Sequence, residues 1–407
     1  MTTEFTGTMP RHADGPIAAL AGKWLFKLLS GIRAGSLMLT LPSGEQRTLS
    51  GPAQGPAADI HIHSWRAVRR IVTGGDIGFA EGYIDGDWTS SDVAVLLELI
   101  ARNDEAIEFR VEGTPLRRLA DRVYHRLRAN TRKGSRRNIQ AHYDLGNGFY
   151  KEWLDPTMTY SAAIYDRPND QLEQAQLRKY QRMAEMIGAA PGQHVLEIGC
   201  GWGGFSTYLA ERHGCRVTGI TLSGEQHDYA RDAIARKGLS DRVDIRIEDY
   251  RDVRGRFDGI VSIEMFEAVG ESNWPQFFSK VRQRLADRGR AALQVITIDE
   301  KRFETYRRKT DFIQRYVFPG GMLPSVEAFR AHAMQAGLDL TDSFFFGQCY
   351  ARTLAEWQHR FSETWPNIRS AGFDERFRRL WEYYLAYCRA GFRSGAIDVG
   401  QFVLQKT

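Results

Sequence analysis

The stretch HVLEIGCGWGGFSTYL, residues 194–209, decides the fold. Its first half is an apolar run carrying one acid, Glu197, and reads as a buried strand. Its second half opens a helix, and Gly199, Gly201 and Gly204 between them allow a tight turn without side chains in the way. The same unit recurs downstream. RVTGITL, VDIRIED, FDGIVSI and GRAALQVITI read as strands, and GGFSTYLAERHG, GEQHDYARDAIARKG and WPQFFSKVRQRLAD as amphipathic helices. Strand and helix in alternation predict an α/β fold with a mostly parallel, doubly wound sheet. Ligands of such sheets bind beyond the carboxyl ends of the strands.

The chain has 407 residues, 43% hydrophobic and 26% charged, enough for two domains. It has no run of the roughly 20 apolar residues that spans a bilayer, and MTTEFTGTMPRHADGPIAAL lacks the order of a secretory signal. A cytoplasmic location is expected. Cys200, Cys215, Cys349 and Cys388 show no CxxC spacing, so neither a disulfide framework nor a metal site is expected. Residues 1–15 read as disordered, and residues 20–110 as a smaller mixed α+β domain. Within it AALAGKWLFKLL suggests a helix, GSLMLTLPSGEQRTLSG a hairpin turning at Ser43-Gly44, and ADIHIHSWRAVRRIV a strand entering a helix. GDIGFAEGYIDGDW reads as a loop and DVAVLLELIARND as a helix; His61 and His63, alternating along a strand, read as structural.

The net charge of +5 is unevenly placed: residues 117–137, RRLADRVYHRLRANTRKGSRR, hold nine Lys/Arg against one Asp. Leu116, Leu119, Ala120, Val123 and Leu127 recur there at helical spacing. A basic amphipathic helix suits peripheral contact with an anionic membrane, while a solvated helix on its own domain and a nucleic-acid patch are the alternatives. The Gly- and Ser-containing stretch 128–137 reads as a linker, giving domains 1–127 and 138–407.

Gly199, Gly201 and Gly204 spell GxGxxG, but a dinucleotide site also wants an acid about 20 residues on, and Thr221 and Leu222 stand there. The pattern apolar-apolar-acidic-apolar-Gly-x-Gly-x-Gly instead resembles motif I of the S-adenosylmethionine methyltransferases. Small residues would let the backbone approach that cofactor, and Glu197 would orient the loop or meet the cationic methionine end. Asp249 in IEDY closes the third strand, where this superfamily contacts adenine. The chain has no Pro-Pro and no cysteine after proline, which removes the chemistry of the nucleic-acid methyltransferases, so no nucleic-acid partner is expected.

NIQAHYDLGNGFYKEWLDPTMTYSAAIY, VLEIGCGWGG, GITLSGEQ, SIEMFEAVGE, FIQRYVFPGGMLPS and YARTLAEWQHRF resemble, in order, the cyclopropane-fatty-acyl-phospholipid synthase family over residues 135–407. GDIGFAEGYIDGDW is similar to that family's N-terminal, lipid-binding domain. The resemblance implies a Rossmann-like methyltransferase sheet and methyl transfer from S-adenosylmethionine to the cis double bond of an unsaturated phospholipid acyl chain, through a carbocation. It implies an enzyme peripheral at the inner face of the cytoplasmic membrane and leaves a homodimer open. It assigns cofactor contacts to Tyr160, Ser161, Gly199, Gly201, Thr221, Leu222, Gln226, Asp249 and Tyr250, beside Glu197. Aromatic faces would stabilise the cation, with Phe266, Tyr316, Phe318 and Tyr350 as candidates; an ordinary place in the core is the stronger reading for each of the first three, while Tyr350 matches a family site residue.

In this family bicarbonate is the base, held by a Cys, a Glu, a His, an Ile backbone and a Tyr. The Glu corresponds to Glu267, the Ile to Ile296 and the Tyr to Tyr350; the Cys position is Ala162 and the His position Gln294. Glu264 stands where the family's GMFEHVG has glycine. Two close buried carboxylates push their pKa values apart, so Glu264 is expected to be a built-in base beside Glu267. The alternative is that Glu264 hydrogen-bonds backbone or Gln294 while bicarbonate still binds. The product, cyclopropane, methylene or methyl-branched alkene, depends on which proton leaves, and the altered base favours the latter two. A methyltransferase of a soluble small molecule, a lipid-binding relative without catalysis and an NAD oxidoreductase are the rival readings.

Overall fold

The computed structural model describes Leu25, Leu29, residues 31–104 and residues 145–407. Packing divides the chain into units Met1–Pro115 and Leu116–Thr407. The expected basic helix in 117–137 and the linker 128–137 lie outside the described residues.

In the first unit, strands β1 (Ala34–Thr40), β2 (Gln46–Ser50), β3 (Ala53–Ile62) and β4 (Trp88–Thr89) form a sheet of order β2-β1-β3-β4. The β1–β2 pair is the hairpin read from sequence, and Gly44 takes φ 86° in its turn. Helix Val93–Arg102 also forms, its first turn capped by the Asp92 side chain accepting from Ala94 N and Val95 N. GDIGFAEGYIDGDW, expected as a loop, is instead largely helical: Arg66–Ile84 is one element broken at Gly75, which takes φ 55° and ψ −137°. Its glycines serve close packing; a Cβ on Gly82 would lie 2.9 Å from the Trp88 ring. His63 Nε2 lies 2.8 Å from Thr89 Oγ1, a structural contact.

The second unit is built on seven strands: β5 (His194–Ile198), β6 (Arg216–Thr221), β7 (Val243–Ile247), β8 (Phe257–Ile263), β9 (Leu285–Ile298), β10 (Leu338–Phe345) and β11 (Ile397–Lys406), in order β10-β11-β9-β8-β5-β6-β7. Strands β5 to β9 pair in parallel, and β11 joins antiparallel to both β9 and β10. The long helices Gly347–Ser370 and Glu375–Ser394 separate β10 from β11. Helices Leu172–Ile187, Gly204–His213 and Gly224–Arg236 bury one side of the sheet through Met183, Ile187, Leu209, Ala230 and Ile234. Helices Trp274–Arg284 and Val326–Gln335 cover the other with Trp274, Phe277, Phe278 and Phe329. Among the described residues no helix is long and apolar enough to cross a membrane.

Candidate active site

Strand β8 lies between β5 and β9 in the middle of the sheet, and its carboxyl end runs directly into Glu264. Here the chain turns left-handed, at φ 50°, a conformation that costs a residue with a Cβ about 1–2 kcal/mol. Bonds on every side hold it. The Glu264 N–H donates to Gln294 O at 2.8 Å. Its Oε1 accepts from Ala162 N at 2.8 Å and Gln294 Nε2 at 2.7 Å, and its Oε2 accepts from the Tyr350 hydroxyl at 2.6 Å. Strand β9 supplies Gln294, the helix Gly347–Ser370 supplies Tyr350, and the loop after Tyr160 supplies Ala162. Gln294 is itself fixed through its Oε1, which accepts from Gln401 Nε2 at 2.9 Å on the neighbouring β11.

One short turn on, Phe266–Ala268, Glu267 aims back at the same place. Its Oε1 accepts from Ile296 N at 2.6 Å, while its buried Oε2 has no partner among the described residues. Burial, followed by the neighbouring Glu264 charge, pushes Glu267 up to about 8. Burial raises Glu264 as well, but the Tyr350 hydroxyl, the Ala162 amide, Gln294 and the Lys179 charge all oppose it. Of the two, Glu264 is therefore the member whose surroundings favour the charge, and Glu267 the member whose surroundings favour the proton. Burial and the Glu264 charge hold the Tyr350 phenol well above its usual range, so it stays a donor.

The glycine turn after β5 is left-handed at Gly199, Gly201 and Gly203, with φ 84°, 52° and 82°. A Cβ on Gly201 would meet nothing within 4 Å, whereas one on Gly199 would lie 2.7 Å from Met265. Glu197 is buried, accepts from the Ser206 hydroxyl, and is raised to about 8 by burial. At the end of β6 the Thr221 hydroxyl donates to Gln226 Oε1 at 2.9 Å, and Leu222 follows it. Asp249, two residues beyond β7, is held by both arms of Arg251, at 2.8 and 2.9 Å. Tyr250 packs edge-on against Phe277. Tyr160 joins Trp153, Trp357 and Tyr150 in an aromatic cluster, and its hydroxyl lies 2.7 Å from that of Tyr384. The open backbone at Gly201, the buried acid at Glu197 and the rings around Tyr160 fit S-adenosylmethionine, which supplies an electrophilic methyl group when bound.

The structure thus joins Ala162, Glu264, Gln294 and Tyr350 directly, and sets Glu267 and Ile296 beside them. Phe266 takes the core place that is the stronger reading for it: it is 1% exposed and packs on Trp274, Phe278 and Phe329, because its face of the short turn points into the core. Tyr316 lies against Phe312, and Phe318 edge-on to Tyr384. Sequence reading missed Tyr384, Gln401 and Lys179. Among the described residues no group of His, Cys, Asp and Glu could hold a metal ion.

This fold and its glycine turn are those of an S-adenosylmethionine-dependent methyltransferase, and similarity to known proteins makes it a C-methyltransferase that modifies lipid. The profile of the family "Mycolic acid cyclopropane synthetase" matches residues 130–402, and the chain belongs to that family. It is 39% identical over 400 residues to tuberculostearic acid methyltransferase UfaA1 of Mycobacterium tuberculosis, covering 96% of this chain and 92% of the relative. It is 34% identical over 351 residues to the cyclopropane-fatty-acyl-phospholipid synthase of Escherichia coli, covering 86% and 88%. Among solved structures, mycolic acid cyclopropane synthase CmaA1 complexed with SAH and CTAB aligns with TM-score 0.63 and 32% identity, covering 67% of this chain and 98% of that one.

Proposed function

We propose that the enzyme methylates the cis double bond of an unsaturated acyl chain in membrane phospholipid, with Glu264 as a built-in base in place of bicarbonate. One observation carries the reading. The Glu264 carboxylate accepts from Ala162 N, Gln294 Nε2 and the Tyr350 hydroxyl, three of the five positions that the family resemblance gives to bicarbonate. A fourth, Ile296 N, is taken by the fifth, Glu267. The donors are thus committed to carboxylates of the chain itself.

An alkene is a weak nucleophile, so positioning in a dry cleft supplies much of the acceleration. Attack on the sulfonium methyl forms a C–C bond, breaks the C–S bond and leaves a cation on the adjacent chain carbon. The ionised Glu264 stabilises that cation and then accepts the proton whose loss makes the product. Neutral Glu267 adds no second charge to be desolvated. A base anchored to strand and backbone collects the proton at one fixed place and so gives one product; the altered ligand set and the name of the more similar relative, a methyltransferase, support an alkene bearing the new carbon over a cyclopropane. The two relatives point to different products by name; the tuberculostearic acid methyltransferase shares more identity over more of the chain. The basic segment 117–137 supports peripheral contact with anionic lipid at the inner face of the cytoplasmic membrane.

The test is incubation of purified protein with S-adenosylmethionine and vesicles of cis-monounsaturated phosphatidylglycerol, followed by NMR of the acyl chains. Vinylic or methylene signals with a mass gain of one CH2 support the reading. High-field cyclopropane signals refute the product assignment, and methylation of soluble amines or phenols but not of lipid refutes the substrate.

A further inference from the structure

Lys179 lies on the helix Leu172–Ile187 and is 0% exposed. Its Nζ donates to the Ser161 hydroxyl at 2.7 Å, and one turn earlier Gln176 Nε2 donates to Ser161 O at 2.8 Å. Two side chains from one helix face therefore hold a single residue by its hydroxyl and its carbonyl. A buried ammonium is costly, and burial lowers Lys179 to about 8 although Glu264, Asp155 and Glu197 all favour its charge.

The held segment spans the site. At one end Thr157 O and the Tyr180 hydroxyl crowd the glycine turn so closely that a Cβ on Gly204 would lie 2.9 and 2.6 Å from them. At the other end Ala162 N donates to Glu264. Ser161 thus sits between the turn that faces the methyl donor and the carboxylate of the reaction centre. An ammonium only donates, so the Ser161 oxygen must accept from Lys179, and the hydroxyl proton must point elsewhere. A hydroxyl that accepts from a cation is also a stronger donor. Lys179 is wholly covered by protein, its ammonium lying over the Tyr180 ring and on the Ser161 hydroxyl, and among the described residues that hydroxyl is the one hydrogen-bonding group through which it reaches a ligand.

We infer that Lys179 is a positioning residue which turns the Ser161 hydroxyl into an obligatory donor to the α-carboxylate of the methyl donor. That carboxylate is the donor's only anion, so one contact identifies the amino-acid end. The inference rests on the class of cofactor and not on Glu264 being the base or on the lipid product.

Binding calorimetry with the unreactive product S-adenosylhomocysteine, and with 5′-methylthioadenosine, which lacks the amino-acid end, tests it. Lys179→Met keeps the bulk of the side chain and should weaken S-adenosylhomocysteine about 10- to 100-fold, the worth of a charge-assisted hydrogen bond, while leaving 5′-methylthioadenosine unchanged. Ser161→Ala should show the same split. The double variant should bind no worse than the weaker single variant, because both remove one donor. Equal weakening of both ligands would mean Lys179 merely supports the fold. Additive losses, or unchanged binding of S-adenosylhomocysteine, would overturn the inference. Should Lys179→Met fail to fold, Ser161→Ala alone decides: without the split between the two ligands the inference falls.

Discussion

Replacing Glu264 with glycine separates the cost of its conformation from the value of its carboxylate. Glycine adopts φ 50° freely, so the substitution relieves about 1–2 kcal/mol of left-handed strain. Against that, Ala162 N, Gln294 Nε2 and the Tyr350 hydroxyl lose their acceptor, and a buried donor left unpaired costs about 1–3 kcal/mol. Three such losses come to about 3–9 kcal/mol, so with the strain relieved the variant should be less stable than the parent by about 1–8 kcal/mol, at the low end of that range if water or an anion fills the vacated acceptor position. Its chemistry should suffer far more, because loss of a general base lowers turnover by roughly 100- to 10,000-fold. The vacated donors also form an anion site, so added bicarbonate should restore turnover of the variant at least about tenfold while leaving the parent unaffected. Release of S-adenosylhomocysteine, measured in CO2-free buffer with and without bicarbonate, is the assay. A Glu264→Gly enzyme that turns over at the parental rate without bicarbonate would refute the reasoning, and so would one that no small anion rescues.

Tyr350→Phe removes a hydrogen bond that stabilises the ionised Glu264; its pKa rises, and the acid limb of the pH–rate profile should move to higher pH, with kcat down about tenfold near neutrality. Glu267 is raised in the folded protein from 4.5 to about 8, so the native state holds the proton more tightly than the unfolded chain between those values, and stability falls as pH rises through that window. Glu267→Gln should flatten the decline of Tm between pH 5 and pH 8; a parallel decline in parent and variant would contradict the assignment of the proton to Glu267. Gly199→Ala, which forces a Cβ to 2.7 Å from Met265 at a φ of 84°, should cost at least about 1–2 kcal/mol of stability and weaken binding of S-adenosylhomocysteine, both readable by calorimetry.

The parallel half of the sheet was legible because each strand is a short β-branched run and each helix between them is amphipathic. The antiparallel β10 and β11 escaped notice. Leu338–Phe345 is mostly accessible as an edge strand, and its partner Ile397–Lys406 follows two long helices, so no local alternation marks the pair. Glycines hid the second half of the helix Arg66–Ile84: they read as loop, although Gly74, Gly75, Gly78 and Gly82 are all buried, Gly78 against the Arg70 backbone and Gly82 against Trp88. Glu264 was legible as a carboxylate at the end of a buried strand. Its donors at 162, 294 and 350 come together only through the order of the sheet. Lys179 could not be read at all. In QLRKYQRM it looks like any lysine on an amphipathic helix, and only the fold shows that its face is the buried one.

The account turns on whether the chain carries its own base. The most direct measurement is kcat of the parent enzyme on unsaturated phospholipid vesicles in CO2-free buffer, titrated with bicarbonate. A rate that is full at the start and flat throughout is the predicted result; a rate near zero that rises saturably with bicarbonate would contradict it.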